Sequence, residues 1–338
     1  MSEFLDFRSD TLTQPTLAMR KAMADAVVGD SFYDEDPSVN ALETRIAELF
    51  AHEAALFVPT GTMSNQIAIQ LHCRHGESVL ASHDLHILRA ETGGISALAG
   101  AQPIAVRTTD DFLPQLDSLE ELFVPSASIV APPTRLLATE NTHLFSGGRI
   151  HSFEHLQQLA HWCTEKKIAF HLDGARLWHA HIETKIPLSA YGALFDTLSV
   201  CFSKGLGAPA GSCLIGSKEH IKRAKLIRKR LGGSMRQCGI LAAAASYSLD
   251  HHLKELKFDH EKAKLLAQWL RNKFPQAEVR EPETNIVLLR FATPAERLIE
   301  QLKAENGIIL SMLNQKTLRA VCHRDIPQDK LDALTSRS

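Results

Sequence analysis

The stretch Ser199-Val-Cys-Phe-Ser-Lys204-Gly-Leu-Gly-Ala-Pro-Ala-Gly211 places one lysine directly after an apolar run, in a turn that is rich in glycine. A short apolar run that ends at such residues is typical of a buried strand. A cation at the mouth of a buried strand is costly unless it is neutralised or covalently engaged. Schiff-base chemistry with a carbonyl cofactor uses a desolvated lysine of this kind. The residues alone leave two interpretations open, a nucleophilic lysine and a structural turn.

Strand-like and helix-like patterns alternate on both sides of this stretch. Helical patterns cover residues 17–26, 39–50 and 64–72, and Asp36-Pro37-Ser38 supplies a cap signal for the second of them. The predicted buried strands are residues 54–58, 78–81, 103–106, 136–139, 168–172, 197–202 and 213–215. Candidate helices separate most of these strands, which predicts an α/β fold with a largely parallel sheet and right-handed crossovers.

The pattern changes after about residue 217. The segments that follow are helices at 218–231, 237–249 and 253–274, a strand at 285–291, a helix at 294–305, short strands at 308–310 and 318–321, and a last helix from residue 327. This mixture indicates an α+β appendage rather than more of the parallel sheet. We predict a large domain over residues 14–248 and a smaller C-terminal domain over 249–338, with the long helix as the hinge.

Charge and hydropathy exclude several classes of function. The 338 residues contain 37 Lys plus Arg and 39 Asp plus Glu, a net charge of -2, which removes the usual electrostatic argument for binding nucleic acid or an anionic membrane. No window approaches about eighteen uninterrupted apolar residues, so we expect no membrane span. The first residues, MSEFLDFRSD, lack the basic and apolar regions of a secretory signal.

The cysteines and histidines favour neither a disulfide framework nor a metal site. The six cysteines are dispersed without a CxxC pair, which favours reduced thiols and a cytoplasmic location. The sequence contains no HExxH motif. His83 and His86 could form a metal pair, but two histidines three residues apart are more often incidental. We therefore expect no metal.

A second candidate segment, Asp173-Gly-Ala-Arg176, follows the predicted strand 168–172. Ligands of open α/β sheets bind at the carboxyl ends of the strands. Asp173 could instead cap a helix that begins at Ala175, and Arg176 could form a surface ion pair. If Lys204 holds a pyridoxal ring, Asp173 would keep the pyridine nitrogen protonated and Arg176 could bind a substrate carboxylate as a fork.

Two further segments carry weaker signals. In Pro59-Thr-Gly-Thr62, a glycine and hydroxyl groups at the start of a helix can bind an anion, although most such turns are simple helix caps. His86 and His143 each lie near a strand end. A lone histidine is more often structural than catalytic, and both remain candidates for ring stacking or general base catalysis.

The order of these and other motifs carries a family resemblance. The matching motifs are Arg8-Ser9-Asp10-Thr11, Val28-Gly29-Asp30, Tyr33-Asp34-Glu35-Asp36-Pro37-Ser38-Val39-Asn40, Leu56-Phe57-Val58-Pro59-Thr60-Gly61-Thr62, Glu140-Asn141-Thr142-His143, Asp173-Gly174-Ala175-Arg176, Ser203-Lys204-Gly205-Leu206-Gly207-Ala208-Pro209 and Gly232-Gly233-Ser234-Met235-Arg236-Gln237. Over nearly its whole length, the chain resembles the low-specificity L-threonine aldolases of the β-eliminating lyase group. The resemblance implies the pyridoxal-phosphate type I fold, which is that of aspartate aminotransferase.

The resemblance implies pyridoxal 5'-phosphate as the cofactor and assigns residues to it. Lys204 matches the lysine that binds the cofactor covalently, and Asp173 matches the partner of the pyridinium nitrogen. His86, ahead of a glutamate and two glycines, matches the histidine that stacks on the ring. Gly61 and Thr62 match the turn that binds the phosphate.

Two basic residues imply an oligomer. Arg236 is similar to a residue that approaches the cofactor phosphate from a neighbouring subunit, and Lys229 is expected to help there. The resemblance therefore implies a homo-oligomer with shared active sites, most simply a homotetramer built from two dimers.

The resemblance also implies the reaction and the residues that bind its substrate. Ser9, Arg176 and Arg319 match residues that hold the substrate carboxylate, so residues 1–13 are expected to contribute to the active site. His143 matches a histidine that acts near the β-hydroxyl, as a base directly or through a water. The expected reaction is retro-aldol cleavage of L-threonine or L-allo-threonine to glycine and acetaldehyde, with activity on other β-hydroxy-α-amino acids. The alternative is another lyase reaction on the same fold, β-elimination or phenylserine cleavage.

The chain departs from the family pattern at four positions. Asp34 stands where the family usually has glycine, which could restrict the loop or alter substrate fit. Ser31, Ser38 and Ser234 replace an aspartate, a threonine and a glycine that are usual there. We expect these changes to affect substrate preference more than reaction type.

Overall fold

The computed structural model describes residues 4–109 and 112–336. The strands in these ranges are β1 (Leu5–Asp6), β2 (Ala54–Val58), β3 (Ser78–Ser82), β4 (Gln102–Val106), β5 (Thr134–Glu140), β6 (Ala169–Gly174), β7 (Thr197–Cys201), β8 (Ser212–Gly216), β9 (Glu278–Val279), β10 (Ile286–Arg290), β11 (Ile308–Ile309), β12 (Ser311–Asn314) and β13 (Thr317–Val321).

The α-helices in these ranges are α1 (Leu17–Ala24), α2 (Pro37–Leu49), α3 (Gly61–His72), α4 (His86–Arg89), α5 (Gly94–Ala99), α6 (Leu116–Leu122), α7 (Phe153–Lys166), α8 (Leu177–Thr184), α9 (Leu188–Gly192), α10 (Lys218–Arg230), α11 (Gly239–His251), α12 (Leu256–Lys273), α13 (Glu296–Asn306) and α14 (Gln328–Thr335). Short 3₁₀ turns occur at Asp10–Leu12, Ser31–Tyr33 and Leu253–Glu255.

A seven-stranded sheet forms the centre of the large α/β part of the fold. Its strand order is β2-β8-β7-β6-β5-β3-β4. Strands β3 to β7 run parallel, and β8 alone is antiparallel to its two neighbours, β2 and β7. The strands β3, β7 and β8 are buried along their full length, as expected for apolar strands covered by helices on both faces. The predicted α/β fold with a largely parallel sheet is confirmed.

Most predicted element bounds agree with the structure, and several helix starts differ from it by two or three residues. The seven predicted strands are all present and differ from the structure by at most two residues at an end. The helix predicted from residue 64 begins at Gly61, because the Thr60 side chain accepts a hydrogen bond from the Met63 N–H and caps it there. The helix after Asp173 begins at Leu177 rather than Ala175. The helix predicted from residue 253 begins with a 3₁₀ turn and becomes α-helical at Leu256.

The C-terminal part has its own sheet and its own core. The antiparallel strands lie in the order β12-β13-β10-β9, and α12 packs against them. The N-terminal segment belongs to this core as well. Strand β1 pairs with β11, and both Leu5 and Phe7 are buried among side chains of α12 and β10. The domain division at residues 248 and 249 stays a prediction.

Two smaller predictions concern cysteines and membranes. All six cysteines lie in the described ranges, where they are free and buried, as the sequence predicts. No helix in the described part of the chain combines the length and the apolar composition that crossing a membrane requires.

Candidate active site

The carboxyl ends of three neighbouring parallel strands bring the main candidates together. Glu140 ends β5 and is the register partner of Asp173 near the end of β6. Asp173 in turn pairs with Ser199 of β7, the strand that leads into Lys204. Because parallel strands end at one edge of a sheet, polar side chains from distant parts of the sequence meet there.

Asp173 is buried and held by two hydrogen bonds. The Asn65 amide donates to Oδ2 at 2.8 Å, and the Ala175 N–H donates to Oδ1 at 3.0 Å. Burial raises the pKa of the Asp173 carboxyl, but the charges of His86 and Lys204, together with these hydrogen bonds, lower the pKa below its ordinary value. The carboxylate is therefore ionised and oriented in a site with little water. That is the state a partner for a pyridinium nitrogen requires.

His86 lies at the start of α4, beside the same carboxylate. Its Nδ1 is 2.9 Å from Oε1 of Glu91, which is buried. Burial lowers the pKa of His86, but the bond to Glu91 and the nearby charges of Asp173 and Glu140 raise the pKa above its ordinary value. His83 does not pair with His86, because the His83 ring contacts the Asp84 carboxylate. His86 thus belongs to the Asp173 cluster, as the ring-stacking role requires.

Lys204 lies in a turn whose backbone is anchored on two sides. The Thr13 hydroxyl donates to the Lys204 carbonyl at 2.7 Å, and the Gly207 N–H donates to the same oxygen at 2.8 Å. Gly207 and Gly211 have φ values of 80° and 113°, which favour glycine and allow the turn to fold back on β2. Within residues 4–109 and 112–336, the Lys204 ammonium makes no hydrogen bond or ion pair. The turn is rigid while the amine is available for bonding.

The predicted phosphate turn forms the first turn of α3. Gly61 and Thr62 are its first two residues, so their N–H groups have no partner within the helix. Gly61 lies close to β7, because a β-carbon at this position would be 2.6 Å from Sγ of Cys201. The Gly211 N–H donates to the Pro59 carbonyl at 3.0 Å and links this turn to the Lys204 turn. An anion bound at this helix terminus would lie beside the lysine turn.

The guanidinium groups of Arg176 and Arg319 lie close enough for the charge of one to act on the other. Arg176 is buried and makes two bonds to the Asp10 carboxylate, at 2.8 Å from Nε and 2.6 Å from Nη2. Burial and the charge of Arg176 lower the pKa of Arg319 to about 10. The described residues place no carboxylate within ion-pair distance of Arg319, which bonds only to oxygens of Ser311 and Arg8. A second anion is required to balance the pair.

Ser9 has a local role in this structure. Its hydroxyl caps the 3₁₀ turn and accepts hydrogen bonds from the Thr11 N–H at 3.2 Å and the Thr11 hydroxyl at 2.8 Å. The next residue is Asp10, the partner of Arg176, so the N-terminal segment reaches the arginine pair as expected.

His143 is fully buried in a stack of rings. The Ser146 N–H donates to its Nδ1 at 3.1 Å, and Phe112 and His151 stack on its two sides. Burial lowers the pKa of His143 to about 4, so the ring is neutral at ordinary pH. Because Nδ1 accepts the Ser146 bond, the single proton of the neutral ring lies on Nε2, which has no partner among the described residues. His143 therefore presents a hydrogen-bond donor.

Arg236 and Lys229 do not join the other predicted site residues within one copy. The Arg236 guanidinium is 3.4 Å from the Asp30 carboxylate and lies over the Phe32 ring, and the Lys229 ammonium lies over the same ring. Half of the Arg236 side chain is exposed. Their predicted role at a neighbouring subunit stays a prediction.

Comparison with known proteins identifies the family. The family model described as "Beta-eliminating lyase" matches residues 6–294. The "Low-specificity L-threonine aldolase 1" of Arabidopsis thaliana is 41% identical over 328 residues, which are 95% of this chain and 92% of that protein. The chain belongs to the beta-eliminating lyase family. Another relative of this lyase, the "Low specificity L-threonine aldolase" of Escherichia coli K12, is 38% identical over 97% of this chain and 96% of its own length.

Solved structures confirm the fold of this beta-eliminating lyase. A threonine aldolase of Leishmania major has a TM-score of 0.83 at 21% identity and covers 98% of this chain and 97% of its own. An aspartate aminotransferase of Thermotoga maritima has a TM-score of 0.74 at 14% identity and covers 98% and 91%. The chain is a lyase of the predicted pyridoxal-phosphate type I fold, and pyridoxal phosphate is its cofactor.

The residues present fit that cofactor. The arrangement offers an ionised buried carboxylate, an imidazole beside it, an amine with no partner among the described residues and a helix terminus whose first N–H groups have no partner within the helix. These four features match the pyridine nitrogen, the ring face, the aldehyde and the phosphate, respectively. The ligand atoms of His86, Glu91 and Asp173 also lie within 4.8 Å of one another, but the Asn65 amide already bridges both carboxylates.

Several functional residues were missed by sequence analysis. Glu91 and Glu140 were noticed only as parts of motifs, Asp10 only as a neighbour of Ser9, and Asn65 was not singled out. The signal for Asn65 is helical spacing, because it lies one turn after Gly61 on the buried side of α3. Burial and the charge of Asp173 raise the pKa of Glu140 to about 7, and nothing in the sequence indicates that carboxyl-to-carboxyl approach.

Proposed function

We propose that this lyase cleaves L-threonine or L-allo-threonine into glycine and acetaldehyde, and also acts on other β-hydroxy-α-amino acids. The observation that carries the proposal is the unbalanced pair of Arg176 and Arg319 beside the Lys204 turn. An amino-acid carboxylate supplies the missing anion and places its amine near the lysine. The names of the relatives support the same substrate class.

The bound cofactor supplies an electron sink for the pair of electrons released when the Cα–Cβ bond breaks. Asp173, ionised in the folded chain, stabilises the positive charge on the ring nitrogen that this sink needs. His86 covers the ring face, and the first turn of α3 binds the phosphate. Arg176 and Arg319 fix the carboxylate and so orient the bond that breaks.

His143 orients the β-hydroxyl in this proposal. Its Nε2–H donates to the hydroxyl oxygen, because Nδ1 is occupied by the Ser146 N–H. To act as a base at Nδ1, the ring would first have to lose that bond. Base catalysis by His143, directly or through a water, therefore needs Nδ1 to release the Ser146 N–H and to accept the hydroxyl proton.

Separate incubation with the threonine stereoisomers tests the function. We expect one glycine and one acetaldehyde for each molecule of L-threonine or L-allo-threonine consumed, and no cleavage by the Lys204→Ala variant. 2-Oxobutanoate and ammonia as products would show elimination instead. If no L-isomer is cleaved, the proposal is wrong.

We also propose that the enzyme works as a homo-oligomer in the cytoplasm, as a tetramer of two dimers, in threonine catabolism and glycine synthesis. Leu17, Val27, Phe32 and Tyr33 are exposed apolar side chains of the same N-terminal part of the chain, and the Phe32 ring lies under the Arg236 guanidinium, which supports an interface there. Mixing inactive Lys204→Ala subunits with Arg236→Ala subunits tests the shared site. Recovery of activity in the hybrids is expected, and an active monomer in sedimentation would contradict it.

A further inference from the structure

Three side chains behind the Lys204 turn form a hydrogen-bonded series, Glu183–His260–His179, which has no role in the proposed reaction. Nδ1 of His260 is 2.8 Å from Oε2 of Glu183, and Nε2 of His260 is 2.9 Å from Nδ1 of His179. His179 and His260 are each only 2% exposed, whereas the Glu183 side chain is 40% exposed. The Glu183–His260–His179 series thus runs from the protein surface into the interior.

The two helices that carry these residues belong to different parts of the fold. His179 and Glu183 lie one turn apart on α8, which follows Arg176. His260 lies on α12, the long helix that also packs against the C-terminal sheet. The hydrogen bonds therefore connect the C-terminal part of the chain to the helix behind the active site.

His179, at the inner end of this series, contacts the Lys204 turn. A β-carbon at Gly205 would lie 2.9 Å from Nε2 and 3.4 Å from Cε1 of His179. Glycine is required at 205 because any side chain would strike that ring. The imidazole forms the wall behind the residue that follows the cofactor lysine.

The carboxylate at the outer end fixes the proton positions in both rings. Burial lowers the pKa of His260 below its ordinary value, and burial together with the neighbouring His260 ring lowers the pKa of His179 to about 3, so at neutral pH both rings are uncharged. Ionised Glu183 can only accept, so His260 carries its proton on Nδ1 and accepts at Nε2. His179 must then donate from Nδ1, which leaves its Nε2 as an unprotonated acceptor facing Gly205.

Other charged groups also act on the two histidine rings of this series. Asp10 and Arg176 act on His179 with opposite signs, and they largely neutralise each other through their own ion pair. Lys264 and Glu261 act on His260, also with opposite signs. Glu183 is therefore the charge that determines the tautomers.

We propose that Glu183, His260 and His179 are positioning residues that hold the Lys204 turn in the orientation needed to bind pyridoxal phosphate. Loss of the fixed tautomer places a proton on Nε2 of His179 or leaves a buried donor unpaired, and the ring then moves against Gly205. A displacement of the cofactor lysine by a fraction of an ångström is enough to weaken both cofactor binding and turnover. Substrate affinity depends on Arg176 and Arg319 instead and should change little.

The main test is Glu183→Gln, because this isosteric change lies at a partly exposed position and should not prevent folding. A glutamine can donate as well as accept, so it permits the reversed tautomers. We expect the affinity of the protein for pyridoxal phosphate, measured by cofactor absorbance without substrate, to fall about tenfold or more. We also expect kcat to fall by a similar factor while KM changes less than about threefold.

Two variants of His260 separate the effect of hydrogen bonding from that of packing. His260→Gln keeps one acceptor and one donor in a single head group and should retain most of the cofactor affinity. His260→Leu removes both and should match Glu183→Gln. The matched control is Glu165→Gln, which removes an exposed Glu–His contact with His161 on α7 and should behave as wild type.

The outcomes decide between positioning and simple packing. If Glu183→Gln binds the cofactor as tightly as Glu165→Gln, or if the histidine variants lower only the melting temperature of the apoprotein, the proposal is wrong. The kcat readout rests on the proposed function, but the affinity readout does not. An enzyme that fails to cleave threonine would overturn the proposed function and still allow this test.

Discussion

Asn65 shows how much of the active site depends on a single amide. Its amide nitrogen donates hydrogen bonds to the carboxylates of Glu91, at 2.9 Å, and Asp173, at 2.8 Å. Its oxygen accepts a hydrogen bond from the Ser199 hydroxyl at 2.6 Å. His171 Nε2 contacts the same oxygen at 3.2 Å. Because two buried carboxylates share one amide, their orientation depends on it.

Asn65→Ala tests this dependence. The variant removes one donor from each of two buried carboxylates, which keep the Ala175 N–H, His86 and Gln66 as their other partners, so we expect the free energy of unfolding to fall by about 2–4 kcal/mol. We also expect kcat to fall by about tenfold or more, because Asp173 loses one of the two hydrogen bonds that orient it and help to lower its pKa. Chemical denaturation and steady-state kinetics measure the two effects.

Gln70→Ala is the matched control for Asn65→Ala. Gln70 lies on the same helix and makes one bond to the Gln66 carbonyl. Its replacement should cost less than about 1 kcal/mol and leave kcat unchanged. Equal effects of the two changes would show that Asn65 only supports the helix.

Arg319→Leu tests the arginine pair. Arg319 has no carboxylate partner among the described residues, so its charge is available to the substrate. Its loss should raise KM about ten- to a hundredfold, as expected when a charge-assisted hydrogen bond is removed, with a smaller change in kcat. Arg8→Leu, at an exposed arginine paired with Asp6, should leave KM near wild type. An unchanged KM for Arg319→Leu would remove Arg319 from the substrate site.

The sequence indicates these residues to different degrees. Lys204 and Asp173 could be predicted because each ends an apolar strand, and strand ends are where ligands bind. Asn65 and His179 could not, because each is one residue of a helix whose inward face becomes important only when the sheet places a partner against it. The tautomer of His143 depends on the Ser146 N–H, a contact that only the folded loop creates.

The first turn of α3 joins the cofactor site to β7 by close packing. Gly61 leaves no room for a side chain against the Cys201 sulfur. The sequence predicts the anion-binding character of this turn, but it places the helix start three residues too late. The actual start depends on the Thr60 cap, which outweighs the weak helix propensity of glycine.

Gly61→Ala should lower the affinity for pyridoxal phosphate about tenfold, because the new β-carbon pushes the helix terminus away from the site. Adding Cys201→Ala removes the sulfur and should restore most of the affinity. Cys201→Ala alone should bind nearly as wild type. Cofactor titration of the three variants and the wild type gives the coupling free energy between positions 61 and 201 for cofactor binding. Wild-type affinity in Gly61→Ala would show that the packing does not set the phosphate site.

Asp34 illustrates a departure from the family pattern at an element boundary. It ends the 3₁₀ turn at Ser31–Tyr33 with φ of 59°, a conformation that suits the glycine usual in the family. Aspartate tolerates this conformation better than most residues, and its carboxylate pairs with Lys225 at 2.6 Å. The effect of Asp34 on the loop and on substrate fit stays a prediction.

Buried neutral histidines link the stability of the protein to pH. Burial lowers the pKa of His72 to about 3, and that of His171 to about 4. A ring with a lowered pKa binds fewer protons when folded than when unfolded. Its contribution to stability is therefore lost progressively as the pH falls below the unfolded pKa of about 6.5.

His72→Gln isolates one such contribution. Between about pH 7 and pH 5, the wild type should lose about 1–2 kcal/mol more unfolding free energy than the variant, which has no ring to protonate in the unfolded state. Denaturant unfolding at the two pH values measures the difference. His161→Gln, at an exposed ring, should follow the wild type. Parallel behaviour of all three proteins would contradict the linkage.

The proposed chemistry depends on a covalent bond between pyridoxal phosphate and the Lys204 amine, in a chain that contains many lysines. Borohydride reduction of the cofactor-loaded protein, followed by peptide mass analysis, locates that bond directly. We predict a pyridoxyl group on Lys204 and none on the Lys204→Ala variant. Modification of a different lysine, or no modification at saturating cofactor, would contradict the assignment of the site.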